Sequence, residues 1–332
     1  MNPDAPAAKP NVLILYNENP AWPESDRAWT ARMVRMLAGA LRHTGHTVQT
    51  AMVFDTLAPL DDYDPRAWVI WNWAEELGGQ PWTDWQVAAE LERRGFAFTG
   101  SAAEVLAASV DRRWIKARLR AHGLPVLPDL VCADPAESRA WSDFPAIVKG
   151  VTQHGSFGID REAVVDTPEA LAARVAYVRA TFDCDALVEP FLDTREFHVA
   201  VLGANGSQHS HALPPAEYDF SGLADPRDRL LTYHAKHSDV VEDGYAYPAL
   251  KWLRCPAAVD EALGARLAAA ALGTFRALGC RDYARVDMRL RGAEPVLLDV
   301  NPNCDLDLTS VVMRGARALG WAYHDVVAHI AA

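Results

Sequence analysis

The sequence predicts an α/β protein of three successive units, a doubly wound N-terminal domain followed by two α+β domains. Three observations predict that order. Strand-length apolar runs alternate with amphipathic helical stretches up to about residue 98. A compact block to about residue 189 then mixes helices with short apolar strands. Beyond it a long helix precedes two strands of period-two alternation joined by a tight turn. The expected domains are therefore 1–98, 99–189 and 190–332.

Val12 to Tyr16 is a continuous apolar run, as expected of a strand buried on both faces. Ser25 is placed to cap a helix carrying Ala31, Val34, Leu37, Ala38 and Leu41 at helical spacing, with Gly45 after its end. Val48 to Val53 and Ala67 to Trp71 read as the next strands. Thr83 opens a second amphipathic helix that stops at Gly95. A helix from Ser109 to His122 follows, ended by Gly123 and Pro125. Ala146 to Val151 is an apolar strand leading into the Gly-bearing loop Gln153 to Gly158. Thr167, with Pro168 at the first helical position, starts a helix reaching about Ala180, and Ala186 to Glu189 makes a strand. In the last block Glu196 to Leu202 and Arg285 to Leu290 alternate as strands, and Arg291-Gly292 turns the chain into Val296 to Val300. Between them lie a polar stretch from Leu213 to Arg229, a candidate mobile loop, and a helix from about Ala257 to Leu278.

Composition bounds the function. Half of the 332 residues are hydrophobic and the net charge is -12, which argues against a nucleic-acid or anionic-membrane partner. The five cysteines are scattered, without CxxC spacing, and read as reduced thiols. The Ala/Pro-rich start from Met1 to Pro10 has no basic and apolar leader pattern, and no apolar run is long enough to cross a bilayer. A cytoplasmic protein is expected.

The strongest local cluster is Arg285-x-Asp287 followed by Asp299-Val300-Asn301. An antiparallel hairpin would bring Asp287 near Asp299 and Asn301, a hard oxygen set suited to Mg²⁺, with Mn²⁺ as the alternative ion. Val286, Met288, Val296, Leu298 and Val300 alternate with them and would form the apolar face. An ordinary hairpin with polar outward residues is the other reading. Lys149 ends an apolar strand and needs an anion or a route to solvent. The glycines of His154-Gly155-Ser156-Phe157-Gly158 allow backbone N–H groups to face a phosphate, although most such loops are plain turns.

In order and spacing the chain resembles the ATP-grasp superfamily, and within it the D-alanine–D-alanine ligase group. The blocks that carry the resemblance are Phe98 to Ser101, Asp111 to Lys116, Gly123-Leu124-Pro125, Phe144-Pro145 with Val148-Lys149, and Gly155 to Gly158. They continue through Leu187-Val188-Glu189, Arg195-Glu196-Phe197, Tyr233 to Lys236 and Arg285 to Asn301. The resemblance implies an ATP-grasp fold, with ATP sandwiched between the last two domains. It implies a ligase that activates a carboxylate as an acyl phosphate and joins it to an amine, on small-molecule substrates and as a homodimer. Lys116 and Lys149 would hold the ATP phosphates under a lid around Ser156. Glu189 and the backbone of Phe191 and Leu192 would face adenine, and Glu196 the ribose. Lys236 would reach a terminal phosphate oxygen. Asp287, Asp299 and Asn301 would hold Mg²⁺, Arg285 would stabilise the acyl phosphate and tetrahedral intermediate, and Ser310 would meet a substrate carboxylate.

The chain departs from those ligases in its first domain, where Tyr16-Asn17-Glu18-Asn19-Pro20 replaces a Gly-rich turn. Glu18, Glu75 and Glu76 are the acids expected to contact substrate, with Glu24 a further candidate. Asp305-Leu306-Asp307 stands in place of a Pro-Gly turn, and such carboxylates would favour an amine over an anionic substrate end. Trp22, Trp29, Trp71, Trp73, Trp82 and Trp85 are either core or the lining of a pocket for a larger, aromatic or cationic substrate. His209, His211, His234 and His237 lack a further ligand at zinc spacing. No histidine in the sequence is placed to activate Cys304 as a nucleophile. A small-metabolite kinase and a nucleotide-binding protein without turnover are the rival functions.

Overall fold

The computed structural model describes residues 9–203, 210–237 and 248–331. Most of the Met1–Pro10 segment, His209 and the side chain of His237 lie outside the described residues.

The first sheet is parallel. Its strands β1 (Asn11–Asn17), β2 (Val48–Val53), β3 (Trp68–Trp73) and β4 (Ala97–Phe98) run in the order β2-β1-β3-β4. The apolar run in β1 serves two cores at once. Val12 and Ile14 pack on Val34, Leu37 and Leu41 of α1 (Glu24–His43), while Leu13 and Leu15 pack with Val87 and Leu91 of α2 (Asp84–Arg94). Helices on both faces make the unit doubly wound. The helix α1 begins one residue before Ser25, behind Pro23 and with no side-chain cap, so Ser25 lies inside its first turn. Gly95 ends α2 in the left-handed conformation, as its sequence position demands.

The expected helix from Ser109 to His122 is two helices, α3 (Ala103–Ser109) and α4 (Arg112–Ala121). Asp111 divides them, because its carboxylate accepts from the backbone N–H of Arg113 at 2.8 Å and caps α4. A second sheet follows, β5 (Leu130–Cys132), β6 (Ala146–Gly150), β7 (Val164–Val165) and β8 (Ala186–Pro190), ordered β5-β8-β6-β7 and antiparallel. The helix α5 (Pro168–Phe182) covers one face through Leu171, Val175 and Val178, and Thr167 caps it.

The third sheet holds β9 (Glu196–Leu202), β10 (His211–Ala212), β11 (Ala216–Tyr218), β12 (Leu253–Arg254), β13 (Tyr283–Arg291) and β14 (Glu294–Asn301). Its main path is β12-β11-β9-β13-β14. The stretch from Leu213 to Arg229, expected as a mobile loop, contributes β11 and buries Tyr218 and Phe220. Its aromatic residues anchor it in spite of its polar composition. The short helix α6 (Tyr233–His237) follows. On one side α7 (Glu261–Leu278) packs Leu267, Ala271 and Phe275 against β9 and β13, and Asp260 caps it. The helices α8 (Val311–Ala318) and α9 (Tyr323–Ile330) close the other core with α1. A bulge between Asp287 and Met288 shifts the β13–β14 register, so that Leu297 opposes Met288 and enters the core. Leu298, expected on the apolar face, instead lines the cleft.

The turn after β4 locks the first unit to the end of β14. Gly100 sits at φ +92°, its N–H donates to Asp282 Oδ2 at 2.8 Å, and Ser101 N–H donates to Asn303 Oδ1 at 3.0 Å. A Cβ on Gly100 would fall 2.5 Å from Asn303 Oδ1. Gly100→Ala is therefore expected to destabilise the fold by about 1–3 kcal/mol, read as a lower denaturation midpoint. An unchanged midpoint would show that this turn relaxes freely.

Candidate active site

A cleft of about 620 Å³ opens where the three sheets meet. Its floor is the β13–β14 hairpin. Period-two geometry, interrupted only by the bulge, sets Asp287 opposite Asp299 and Arg285 opposite Asn301, and all four line the cleft. Arg285 donates to Asp287 through Nε at 2.7 Å and Nη2 at 3.0 Å, a bidentate pair. Asp299 accepts from Arg112 Nη2 at 2.7 Å and lies 3.6 Å from His154 Nδ1. Burial alone would raise the Asp299 carboxyl, but Arg112 and His154 outweigh it and hold the group well below the ordinary carboxylate range.

The Gly-bearing loop after β6 forms one wall. Gly155, Ser156 and Gly158 take φ of +61°, +65° and +69°, and Ser156 faces the cleft. Arg112 donates to the carbonyls of Gly150 and Gln153, tying the base of this loop to the Asp299 carboxylate. Trp82 of the first unit meets His154 and Phe157 edge-on, with centroids 5.5 and 5.9 Å apart. Lys149, Phe191, Leu192 and Lys236 also line the cleft. Burial, and then the neighbouring Arg285, lower the Lys236 pKa. The Phe191 N–H donates to Pro145 O at 2.8 Å and the Leu192 carbonyl accepts from Arg289, so these backbone groups already have protein partners.

Several predicted residues sit elsewhere or are engaged. Lys116 and Glu189 line a small niche behind the cleft, where the Glu189 carboxylate accepts from Lys116 and, at 3.0 Å, from Lys149. Glu196 reaches the cleft, but its carboxylate accepts from Arg289 Nε at 3.0 Å and lies 3.0 Å from His198 Nε2. Burial opposes ionisation there, yet Arg289 and His198 bring its pKa down to about 2. Glu18 lies 4.0 Å from Arg27 and Glu76 accepts from Asn19 at 2.9 Å, and neither lines the cleft. Ser310 caps α8 through Met313 N–H at 3.2 Å and is likewise off the cleft wall. Of the first-domain acids expected at substrate, Glu75 alone is on that wall.

The tryptophans divide in the same way. Trp22, Trp29, Trp73 and Trp82 line the cleft, Trp71 is 1% exposed in the core, and Trp85 packs on the α2–α3 cluster. Among the cleft residues that sequence reasoning missed are Arg112, His198, Asp84, Asn72 and Arg289. His198 Nδ1 lies 3.1 Å from Asp287. Its strand position, two residues from Glu196 on the same face, was the available signal.

The fold matches D-alanine–D-alanine ligase from Bacillus anthracis at TM-scores of 0.67 and, for the crystal structure of that protein complexed with ATP, 0.69. Each match covers 97% of this chain and at least 95% of the other, at 16% identity. The architecture is thus the ATP-grasp fold. Residues 129–332 match the family model described as D-ala D-ala ligase C-terminus. Among sequence relatives, the D-alanine–D-alanine ligase of Desulforudis audaxviator is 32% identical over 76% of this chain and 78% of its own length. That of Ralstonia pickettii is 29% identical over 77% and 72%. An uncharacterized protein, y4sG of Sinorhizobium fredii, is 29% identical over 92% and 88%. The chain belongs to the D-Ala–D-Ala ligase family. Among the described residues no helix is long and apolar enough to cross a membrane.

Proposed function

We propose that this protein is an ATP-dependent carboxylate–amine ligase that forms an amide bond through an acyl phosphate, on amino acids or a short peptide. The observation that carries the reading is the convergence of Lys149, Lys236, Arg285, Asp287, Asp299 and Asn301 on one cleft. Phosphoryl transfer to a carboxylate requires positioning and charge neutralisation, and these side chains are of the required kinds. Membership of the ligase family and the fold shared with an ATP complex support it.

In this reading Lys149 and Lys236 orient the phosphates, and the loop carrying Ser156 lies over them and excludes water. The paired carboxylates Asp287 and Asp299, with the Asn301 amide oxygen, fit a hard divalent cation, since all three line the cleft and Asp299 stays ionised. Mg²⁺ held there would neutralise phosphate charge. Arg285, two residues before Asp287 and opposite Asn301 on the hairpin, stabilises the oxyanion of the tetrahedral intermediate. Phe191 and Leu192 form an apolar wall for the base. Lys116 and Glu189 support that wall from behind, and Glu196 holds Arg289 and His198 beside the metal acids. The borders near residues 98 and 189 separate a substrate unit from the two that enclose ATP, and a homodimer in the cytoplasm remains part of the proposal.

A phosphate-release screen over pairs of D- and L-amino acids and dipeptides, with mass spectrometry of products, tests this. The expected result is amine-dependent ADP and phosphate with an amide product. A stable phosphoester would instead make the protein a kinase, and ATP binding without turnover on a broad panel would make it a nucleotide-binding protein.

A further inference from the structure

The end of the cleft nearest the first unit is acidic and aromatic. Glu75, Asp84, Asp305 and Asp307 line it together with the indoles of Trp22, Trp29, Trp73 and Trp82. The charged neighbours that act most strongly on Glu75 are acids, namely Asp305, Asp84, Glu76 and Asp307. Burial, then this crowding, pushes the Glu75 carboxyl up to about 8, and burial raises Asp84 to about 6. Asp307 is raised by burial and by Asp305. One substrate ammonium would relieve one of these acids; Asp84 also feels His154 and Asp305 also feels Arg285, while Glu75 and Asp307 are raised by the acids beside them. Indole faces add an attraction for a cation that a neutral side chain does not share, and Trp29 already has the Arg32 guanidinium 5.8 Å from its centroid.

An independent feature points to the rest of the ligand. Asn72 is 3% exposed and lines the same cleft. Its Oδ1 accepts from Ala74 N–H at 3.4 Å, but its Nδ2 has no partner. A buried donor left in that state calls for an acceptor oxygen on the ligand.

We propose that this end of the cleft selects a basic amino acid, lysine-, ornithine- or arginine-like, as one of the two substrates. Its side-chain cation lies among Glu75, Asp84, Asp305 and the indoles, and an acceptor oxygen of its backbone meets Asn72 Nδ2. The proposal rests on the ligase reading for turnover, whereas binding can be measured without it.

The test uses the full chain with lysine, ornithine and arginine against norleucine, norvaline and alanine, in calorimetric binding and in phosphate release. The basic members are expected to be preferred by at least about tenfold in kcat/KM, carried by KM. Glu75→Gln is expected to reduce that preference about tenfold. It replaces a carboxyl that burial and its acidic neighbours keep largely protonated with a neutral amide of the same shape, so its thermal midpoint should not fall; Asp84→Asn provides a second variant with the same expected direction for the preference. Neutral amino acids turned over as well as basic ones, or better, would overturn the proposal and leave the ligase reading intact. Glu75-dependent binding of basic amino acids with no ADP release from any amine would support this site and sink the ligase reading.

Discussion

Asp299→Asn is expected to lower amine-dependent ADP release by about 10²- to 10³-fold while leaving the fold in place. The magnitude comes from the role. A charge-neutralising metal site contributes several kcal/mol to a phosphoryl-transfer transition state, and each 1.36 kcal/mol is about tenfold in rate. Asn is the informative replacement because Asp299 has a second duty, accepting from the 7%-exposed Arg112 at 2.7 Å. Asn keeps an acceptor for that guanidinium and removes the negative charge. Asp299→Ala would remove both, and its lost activity would be mixed with the loss of a hydrogen-bond acceptor for the buried Arg112 guanidinium. The measurement is ADP release at saturating substrates across a Mg²⁺ titration, with the thermal midpoint as control. Asn301→Ala should lose activity in the same assay. Full activity in both Asp299→Asn and Asn301→Ala would place the metal elsewhere.

The elements that the sequence made legible are those governed by local periodicity. The β13–β14 hairpin was readable because acids and apolar residues alternate through Arg285–Asp287 and Asp299–Asn301, and the register pairs Asp287 with Asp299. Leu298 was misplaced because a bulge inserts one residue and reverses the facing of the strand beyond it, and no residue type marks that site. The helix from Ser109 was misread because Asp111 competes locally for the backbone, a choice that apolar spacing does not report.

Site residues brought together from distant segments were harder. Arg112 and Asp299 are 187 residues apart, and nothing near either one names the other. Glu75 and Glu76 are neighbours with opposite fates. Asn19 takes the Glu76 carboxylate, and Glu75 turns to the cleft. Which of two adjacent acids meets a substrate depends on the loop between β3 and α2, and its conformation is set by Asn17 and Thr83 bonding to the backbone of Glu75 and Leu77.

Glu189→Ala is expected to destabilise the protein before any ligand is added, by about 3–5 kcal/mol. The carboxylate is 2% exposed and is shared by two ammonium groups, Lys116 and Lys149. Burial would raise its pKa, but Lys149 and Lys116 outweigh that and keep it below the usual value. With a depressed folded pKa, Glu189 contributes stability above the unfolded carboxylate pKa, and that contribution is lost as pH falls through the folded one. Removing it leaves the buried Lys116 with Asp129 alone, 3.4 Å away, while Lys149 can turn toward the cleft. Lys116→Met in the same chain should therefore recover part of the loss, because it deletes the more buried of the two ammonium groups. Urea midpoints of the ligand-free single and double variants measure both effects. A carboxylate that mainly faced a bound base would behave differently. Glu189→Ala would then leave the ligand-free midpoint unchanged and weaken only nucleotide binding, and the Lys116–Glu189–Lys149 cluster would lose its structural role.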